Sequence, residues 1–261
     1  MAIDVADYKT IKLDIQQNVA TITLNRPDKL NSFSEEMHAE LRTIMPVLSG
    51  DDIRCVLITG EGRAFGAGAD LGEGGAGDAG ETLEKNYNPL ILYLRNLDKP
   101  VISAVNGLAA GASMSLALAA DLCFAARSAY FLQAFCHIGL IPDAGSTYFL
   151  PRLVGSGKAM GLAMLGDKIP AEEAEKMGLI WKVCDDDSLM QEASDLARKL
   201  AAGPTKGLAM IKQAMNVSLD NTLEQQLDVE RDLQSAASKT ADFAEGVAAF
   251  TEKRTAKFSG R

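Results

Sequence analysis

Three places in this sequence have residue types and spacing that could do chemistry. Asp143 stands after an apolar run, Ile138-Gly139-Leu140-Ile141-Pro142, and just before a segment with helical pattern from about Ser146. Burial would raise the pKa of its carboxyl and a helix N-terminus would lower it, and a group balanced in that way suits proton transfer. The same placement reads equally as an N-cap for the helix. The other two places share one physical meaning. The turn Phe65-Gly66-Ala67-Gly68-Ala69-Asp70 closes on Ala69, and Ala112 lies at the start of the small-residue stretch from Gly111 to Ala120. Each puts backbone N–H groups at the end of a strand, and at a helix start these groups lack intrahelical partners and sit at the positive end of the dipole. Two such donors aimed at one point would make an oxyanion hole. From spacing alone, tight structural turns are the stronger reading.

Other chemistries find less support. Gly72-Glu73-Gly74-Gly75-Ala76-Gly77 matches G-x-G-x-x-G in form, but no strand leads directly into it and no helix opens on it, so it reads as a flexible loop. The segment from Leu71 to Gly80 is expected to be mobile and could order over a substrate. His38 and His137 are the only histidines, too few for a histidine-rich metal site. A Ser-His-Asp hydrolase built on His137 lacks a serine on an elbow. The four cysteines, Cys55, Cys123, Cys136 and Cys184, have no C-x-x-C spacing, and the first three lie in apolar segments. Free buried thiols in a reducing compartment follow.

The formal net charge of −9 disfavours a nucleic-acid surface, which needs clustered Lys and Arg. An anionic small ligand stays possible if its cationic contacts are local. The N-terminal MAIDVADYKT has no apolar h-region, and the apolar stretches are interrupted well before membrane-spanning length. No membrane partner and a cytoplasmic location are expected.

The elements that must position these groups read as repeated strand–turn–helix units followed by helices. Strands are predicted over 19–24, 53–59, 100–105, 122–125, 129–131 and 180–183, from runs of β-branched and apolar residues. Ser32 with Glu35 matches a capping box, with Ser34 as a second candidate cap, ahead of a helix through Met37, Leu41, Ile44 and Leu48. Pro46 should kink or shorten that helix. Further helices are predicted through Tyr87 to Leu94, over 111–120 and from Ser146. After Gly155 nearly everything reads as helix, including 171–176, 188–202, 205–216, 222–238 and 242–253. No repeat of fixed period is present.

Taken together, these segments resemble the crotonase (enoyl-CoA hydratase/isomerase) superfamily. The resemblance is carried by Leu24-Asn25-Arg26-Pro27, Ala64 to Leu71, Lys99 to Gly107, Gly111-Ala112-Ser113, Gly139 to Gly145 and Ala174 to Gly178, in order and across essentially the whole chain. It implies an α/β fold, a spiral of ββα units over residues 1–200, with a C-terminal helical trimerisation region over 201–261. It implies a homotrimer or a hexamer made of two trimers. It implies an acyl-CoA thioester substrate, with no metal and no other cofactor, coenzyme A being part of the substrate. The family's oxyanion-hole amides fall on Ala69 and Ala112. Segments that contact CoA or substrate fall on Lys29, Leu30, Ala67, Asp70 and Leu71, and Phe250 and Lys253 resemble residues that reach a neighbouring subunit's CoA.

The departures from the family pattern carry information. Hydratases of this family activate one water with two glutamates, and the matching positions here are Ser115 and Phe135, neither a carboxylate. Asp143 matches the aspartate of the family's isomerases. One carboxylate can take a proton from one carbon and return it two carbons away, with a dienolate held in the oxyanion hole. Phe135 then belongs to an apolar substrate pocket. The finer resemblance, through Leu30-Asn31-Ser32-Phe33, Tyr87-Asn88-Pro89-Leu90, Ala125 to Ala129 and Ile211 to Ala214, is to members that convert the ring epoxide of phenylacetyl-CoA to an oxepin. Those members also shift the double bond of unsaturated acyl-CoAs. His137 and Ser146 stand where Lys-like and Gly residues are expected, which bears on substrate preference.

Overall fold

The computed structural model describes residues 8–74 and 78–261. Its N-terminal half is built from β1 (Ile11–Gln16), β2 (Val19–Leu24), α1 (Glu35–Leu48), β3 (Cys55–Gly60), β4 (Ala64–Gly66), α2 (Leu71–Gly74), α3 (Ala79–Thr82) and α4 (Asn88–Asn96). The centre comprises β5 (Val101–Val105), β6 (Leu108–Ala110), α5 (Ala112–Ala119), β7 (Leu122–Ala126), β8 (Tyr130–Leu132), α6 (Ser146–Val154) and α7 (Ser156–Leu165). The rest is β9 (Lys168–Pro170), α8 (Ala171–Lys176), β10 (Lys182–Cys184), α9 (Leu189–Ala201), α10 (Thr205–Val217), α11 (Leu223–Ala237) and α12 (Ala241–Glu252).

Two sheets share the work. The first has the order β1-β2-β3-β5-β7-β10, antiparallel at β1/β2 and parallel elsewhere. The second has the order β4-β6-β8-β9, parallel except at β8/β9. The pairs β3/β4, β5/β6 and β7/β8 each give one strand to each sheet, so three successive turns of chain stack in the same sense. Every residue of β3 and β5 is buried, as parallel strands covered on both faces require. α9 crosses β2, β3, β5 and β7 with Ala193, Ala197 and Ala201 turned inward, small side chains that let the helix lie close.

Local sequence explains the element ends, with some corrections to expectation. Ser34, not Ser32, caps α1, accepting from the Met37 N–H. Pro46 lies inside α1 without ending it. It falls in the last turn, where little helix remains to disrupt, and Lys99 Nζ donates to the Leu48 and Gly50 carbonyls beyond it. The segment expected as a loop from Leu71 is helical at both edges, in α2 and α3, and residues 75–77 of the G-x-G-x-x-G match lie outside the described residues. So does most of the N-terminal decapeptide. Asp143 does not cap α6: the cap position is Gly145, and the Ser146 N–H bonds the Asp143 backbone carbonyl. Cys55, Cys123 and Cys184 are buried free thiols, whereas Cys136 is only half-buried.

The C-terminal segment folds back on the body. Arg54 donates to Thr205 Oγ1 and to the carbonyls of Gly203 and Phe258. Asp242, in the first turn of α12 and 3% exposed, accepts from the N–H groups of Ser259 and Gly260, and its own N–H bonds the Arg261 carbonyl. α11 has no buried residue, and Leu223 and Leu227 on it are exposed. Among the described residues no helix is long and apolar enough to cross a membrane.

Candidate active site

The segment 30–33 runs alongside the glycine-rich turn. Ala67 N–H donates to Leu30 C=O (2.9 Å), Phe33 N–H to Gly68 C=O (2.8 Å) and Asp70 N–H to Phe33 C=O (2.9 Å). Asn31, fully buried, braces this pairing, since its Nδ2 donates to the Glu61 and Ala64 carbonyls and its Oδ1 accepts the Arg26 N–H. Arg26 in turn reaches the Ser32 carbonyl (2.8 Å) and the Asp70 carboxylate (3.0 Å). The turn is thus fixed by the backbone of residues 30–33, in which Leu30 and Asn31 have positive φ, and by an amide and an ion pair.

Its other side rests on the start of α5. The Gly68 N–H donates to Ser113 Oγ (3.0 Å). Gly68 has φ +90°, and a Cβ there would sit 3.0 Å from the Ala110 carbonyl and 3.5 Å from the Ala112 nitrogen. Only glycine therefore allows the two strand ends to approach so closely. Gly68, the neighbour of Ala69, is thereby set against the start of α5, and neither the Ala69 nor the Ala112 N–H has a hydrogen-bond partner among the described residues. Two unpartnered amides, one of them at the positive end of α5, are groups that an oxyanion hole requires. Gly111, with φ +52°, turns the chain into α5 and would place a Cβ 3.7 Å from the Phe135 ring. The apolar ring of Phe135 therefore lies beside the paired amides.

Asp143 reaches the same region through a short bridge: Ser115 Oγ lies 2.9 Å from the Asp143 carbonyl oxygen and 3.3 Å from that of Gly111. The Asp143 carboxyl is partly buried, and its Oδ1 is fully enclosed with no hydrogen-bond partner. Burial lifts its pKa to about 6. Burial is the cause of that shift, and the carboxyl is not the side-chain cap of α6, whose cap position is Gly145. Tyr87, whose phenol is raised first by burial and then by the Asp143 charge, marks the adjoining wall. Tyr87 packs edge-on against His38 (4.4 Å between centroids) and Phe33 (5.4 Å), and Phe33 stacks on His38 (5.1 Å). Burial pushes the His38 imidazole down to about 4, so it is neutral near pH 7 and packs as an aromatic.

Of the residues singled out in the sequence, Leu30, Ala67, Ala69, Asp70, Ala112, Phe135 and Asp143 thus lie in one continuous neighbourhood. Lys29 is exposed at the end of a short 3₁₀ turn beside Leu30, and Leu71 is exposed where α2 begins. Phe250, 87% exposed, and Lys253, in the left-handed position after α12, lie apart from this neighbourhood in the single chain. Sequence reasoning missed Asn31, Ser113 and Gln133. The two serines of an otherwise apolar α5, Ser113 and Ser115, were the available signal: a buried hydroxyl needs a partner, and both partners are site backbone.

Two free amides, one next to a strand end and one at a helix start, with a partly buried carboxyl on a segment tied to the same helix, suit chemistry in which negative charge develops on an oxygen. The chain belongs to the enoyl-CoA hydratase/isomerase family, whose profile matches residues 14–261, and is an acyl-CoA enzyme of crotonase fold. Among its relatives, it is 52% identical over 254 residues to the 1,2-epoxyphenylacetyl-CoA isomerase of Escherichia coli (strain K12), covering 95% of this chain and 97% of that one. It is 46% identical over 256 residues to a Rhodobacter capsulatus protein described as "Probable enoyl-CoA hydratase", covering 97% and 99%. The crystal structure of enoyl-CoA hydratase from Bacillus anthracis superimposes with a TM-score of 0.92 at 33% identity, covering 97% of this chain and 100% of that one.

Proposed function

We propose that this enzyme is an isomerase that moves a proton between the α and γ carbons of a CoA thioester, with Asp143 as the only acid/base. The observation that carries the reading is the Asp143 carboxyl, its Oδ1 enclosed and without a partner, on a segment that Ser115 ties to the helix opening with the free Ala112 amide. Its pKa of about 6 leaves it ionised at neutral pH yet basic enough to accept a proton. The carboxylate removes the α proton of a 3-enoyl thioester. Negative charge then flows to the thioester oxygen, where the Ala69 and Ala112 N–H groups hold it, and Asp143 returns the proton at the γ carbon to give the 2-enoyl product. No second carboxylate stands at Ser115 or Phe135 to activate water, so addition across the double bond is disfavoured.

The 52% identity to the Escherichia coli isomerase supports a ring-epoxide phenylacetyl-CoA, converted to oxepin-CoA, as a further substrate. No metal or redox cofactor takes part in this reading. Lys29, Leu30, Ala67, Asp70 and Leu71 line the approach of CoA. The exposed apolar faces of α11 and α12 support assembly through residues 201–261 into a trimer or a pair of trimers, with Phe250 and Lys253 contributing to a neighbour's CoA site. The test is isomerisation of a 3-enoyl-CoA to the 2-enoyl form, with hydration followed in the same assay. Isomerisation without hydration supports the single-acid mechanism and leads to the ring epoxide as the next substrate. Hydration as the main activity sinks it, because a second base must then exist.

A further inference from the structure

Behind Asp143 lies a connected set of buried polar side chains that the reaction itself does not use, in which Gln133 Oε1 alone has no partner among the described residues. Gln133, Ser115 and Ser146 are each 0% exposed. Gln133 Nε2 lies 3.2 Å from Met114 Sδ and 3.0 Å from Ser146 Oγ. A thioether sulfur can only accept, so the amide nitrogen is the atom that faces it. Ser146 Oγ and Ser115 Oγ are 2.6 Å apart, and Ser115 Oγ is 2.9 Å from the Asp143 carbonyl. One assignment uses every donor once. The Gln133 amide donates to Ser146, the Ser146 hydroxyl donates to Ser115, and the Ser115 hydroxyl donates to the Asp143 carbonyl.

The direction of this chain matters. In this assignment the Ser115 and Ser146 hydroxyl protons go to the Asp143 backbone carbonyl and to Ser115, and the Asp143 side-chain Oδ1 has no hydrogen-bond partner among the described residues. The Asp143 carbonyl receives two donors, Ser115 O–H and Ser146 N–H. The backbone it anchors is one that local preference does not favour: Ala144 and Gly145 both have positive φ, +48° and +89°. Ser115 belongs to α5, the helix whose first N–H is that of Ala112.

We propose that Gln133, Ser146 and Ser115 form a positioning relay that locks the Asp143 backbone to the helix carrying the Ala112 amide, holding the base and the oxyanion hole at a fixed separation. The relay rests on the reading of Asp143 as the proton shuttle. It also gives the position that carries a glutamate in hydratases a structural duty here.

The test uses Ser115→Ala, with Asp143→Asn assayed beside it. Loss of the relay misplaces the base without touching thioester binding, so kcat is expected to fall about 10- to 100-fold while KM changes less than about twofold. A loosened loop also admits water to the carboxyl, so the acid limb of kcat/KM moves down from about 6 towards the ordinary carboxylate range. A loss of packing that leaves the Asp143 loop in place would not move that limb. Ser146→Gly interrupts the same relay at its middle and gives the same readouts if Ser115→Ala folds poorly. Wild-type turnover with an unmoved acid limb in Ser115→Ala, or a fall in turnover that follows thermal stability while the limb stays put, overturns the relay. If that occurs while Asp143→Asn is inactive, the relay alone is wrong. Wild-type isomerisation by Asp143→Asn overturns the relay and the shuttle together.

Discussion

Replacing Asp143 by Asn separates two consequences of one buried carboxyl, because Asn keeps its shape and loses its proton. A general base contributes about 10²- to 10⁴-fold to turnover, so kcat for 3-enoyl-CoA isomerisation should drop by about 10³ with little change in binding. Stability should move the other way. The carboxyl titrates at about 6 in the fold against 3.8 as the ordinary value. The folded chain therefore holds this proton more tightly than the unfolded chain does. Ionising the group costs nothing below pH 3.8, costs progressively more up to about 6, and costs a constant amount above that. Two pKa units correspond to about 3 kcal/mol, and the partial exposure of the group brings this to roughly 1–2 kcal/mol. Asn escapes that cost, so the variant should be more stable than wild type at neutral pH and equal to it near pH 4. His38 tilts the wild-type profile in the opposite sense over the same range, so the quantity to follow is the difference between the two proteins. Urea unfolding of both across this range, with isomerisation measured on the same samples, supplies both readouts. A variant that isomerises at the wild-type rate removes Asp143 from the chemistry. One that gains no stability above about pH 6 refutes the argument from burial, whatever its rate.

Three other substitutions probe the remaining parts. Ala112→Pro deletes one oxyanion N–H at a first-turn position where proline suits the helix, and kcat should fall about 10²- to 10³-fold; steady-state kinetics with unchanged far-UV circular dichroism would establish it. His38→Phe should flatten the acid side of the stability profile. The depressed imidazole leaves the fold at full stability above pH 6.5 and removes stability as pH falls towards about 4, a loss of about 3 kcal/mol that Phe avoids, measurable by urea unfolding. Leu227→Asp places a charge on the exposed apolar face of α11 and should reduce the species seen by light scattering from a multiple of the 27.8 kDa chain towards the single chain.

The residues proposed to do the chemistry were more legible in the sequence than the residues that hold them. Ala69 and Ala112 could be found because glycine-rich turns at strand ends leave amides free, whatever surrounds them. The β2 run Val19–Leu24 and the helix after Pro170 were legible for the same reason, since each is set by short-range pattern. β6 and β9 were not. Each is three residues long and exists only because a neighbouring strand offers backbone partners. Asp143 shows the limit most clearly. Its local context supports a helix cap and a proton shuttle alike; the structure rules out the cap, which falls on Gly145, and the Asp143 backbone carbonyl is held by Ser115, 28 residues away in sequence. Asn31 was invisible as a brace because its partners, Glu61 and Ala64, lie across the turn it supports.

The folded-back C-terminal segment turns the choice of expression tag into a mechanistic variable. Asp242 is a buried carboxylate whose partners, the N–H groups of Ser259 and Gly260, come from the last three residues of the sequence. Removing those residues strands the carboxylate and loosens the first turn of α12, the helix that carries Phe250 and leads to Lys253. A truncated protein could then lose activity with Asp143, Ala69 and Ala112 all in place. An affinity tag fused directly after Arg261 pulls on the same clasp, whereas one ahead of Met1 leaves it closed.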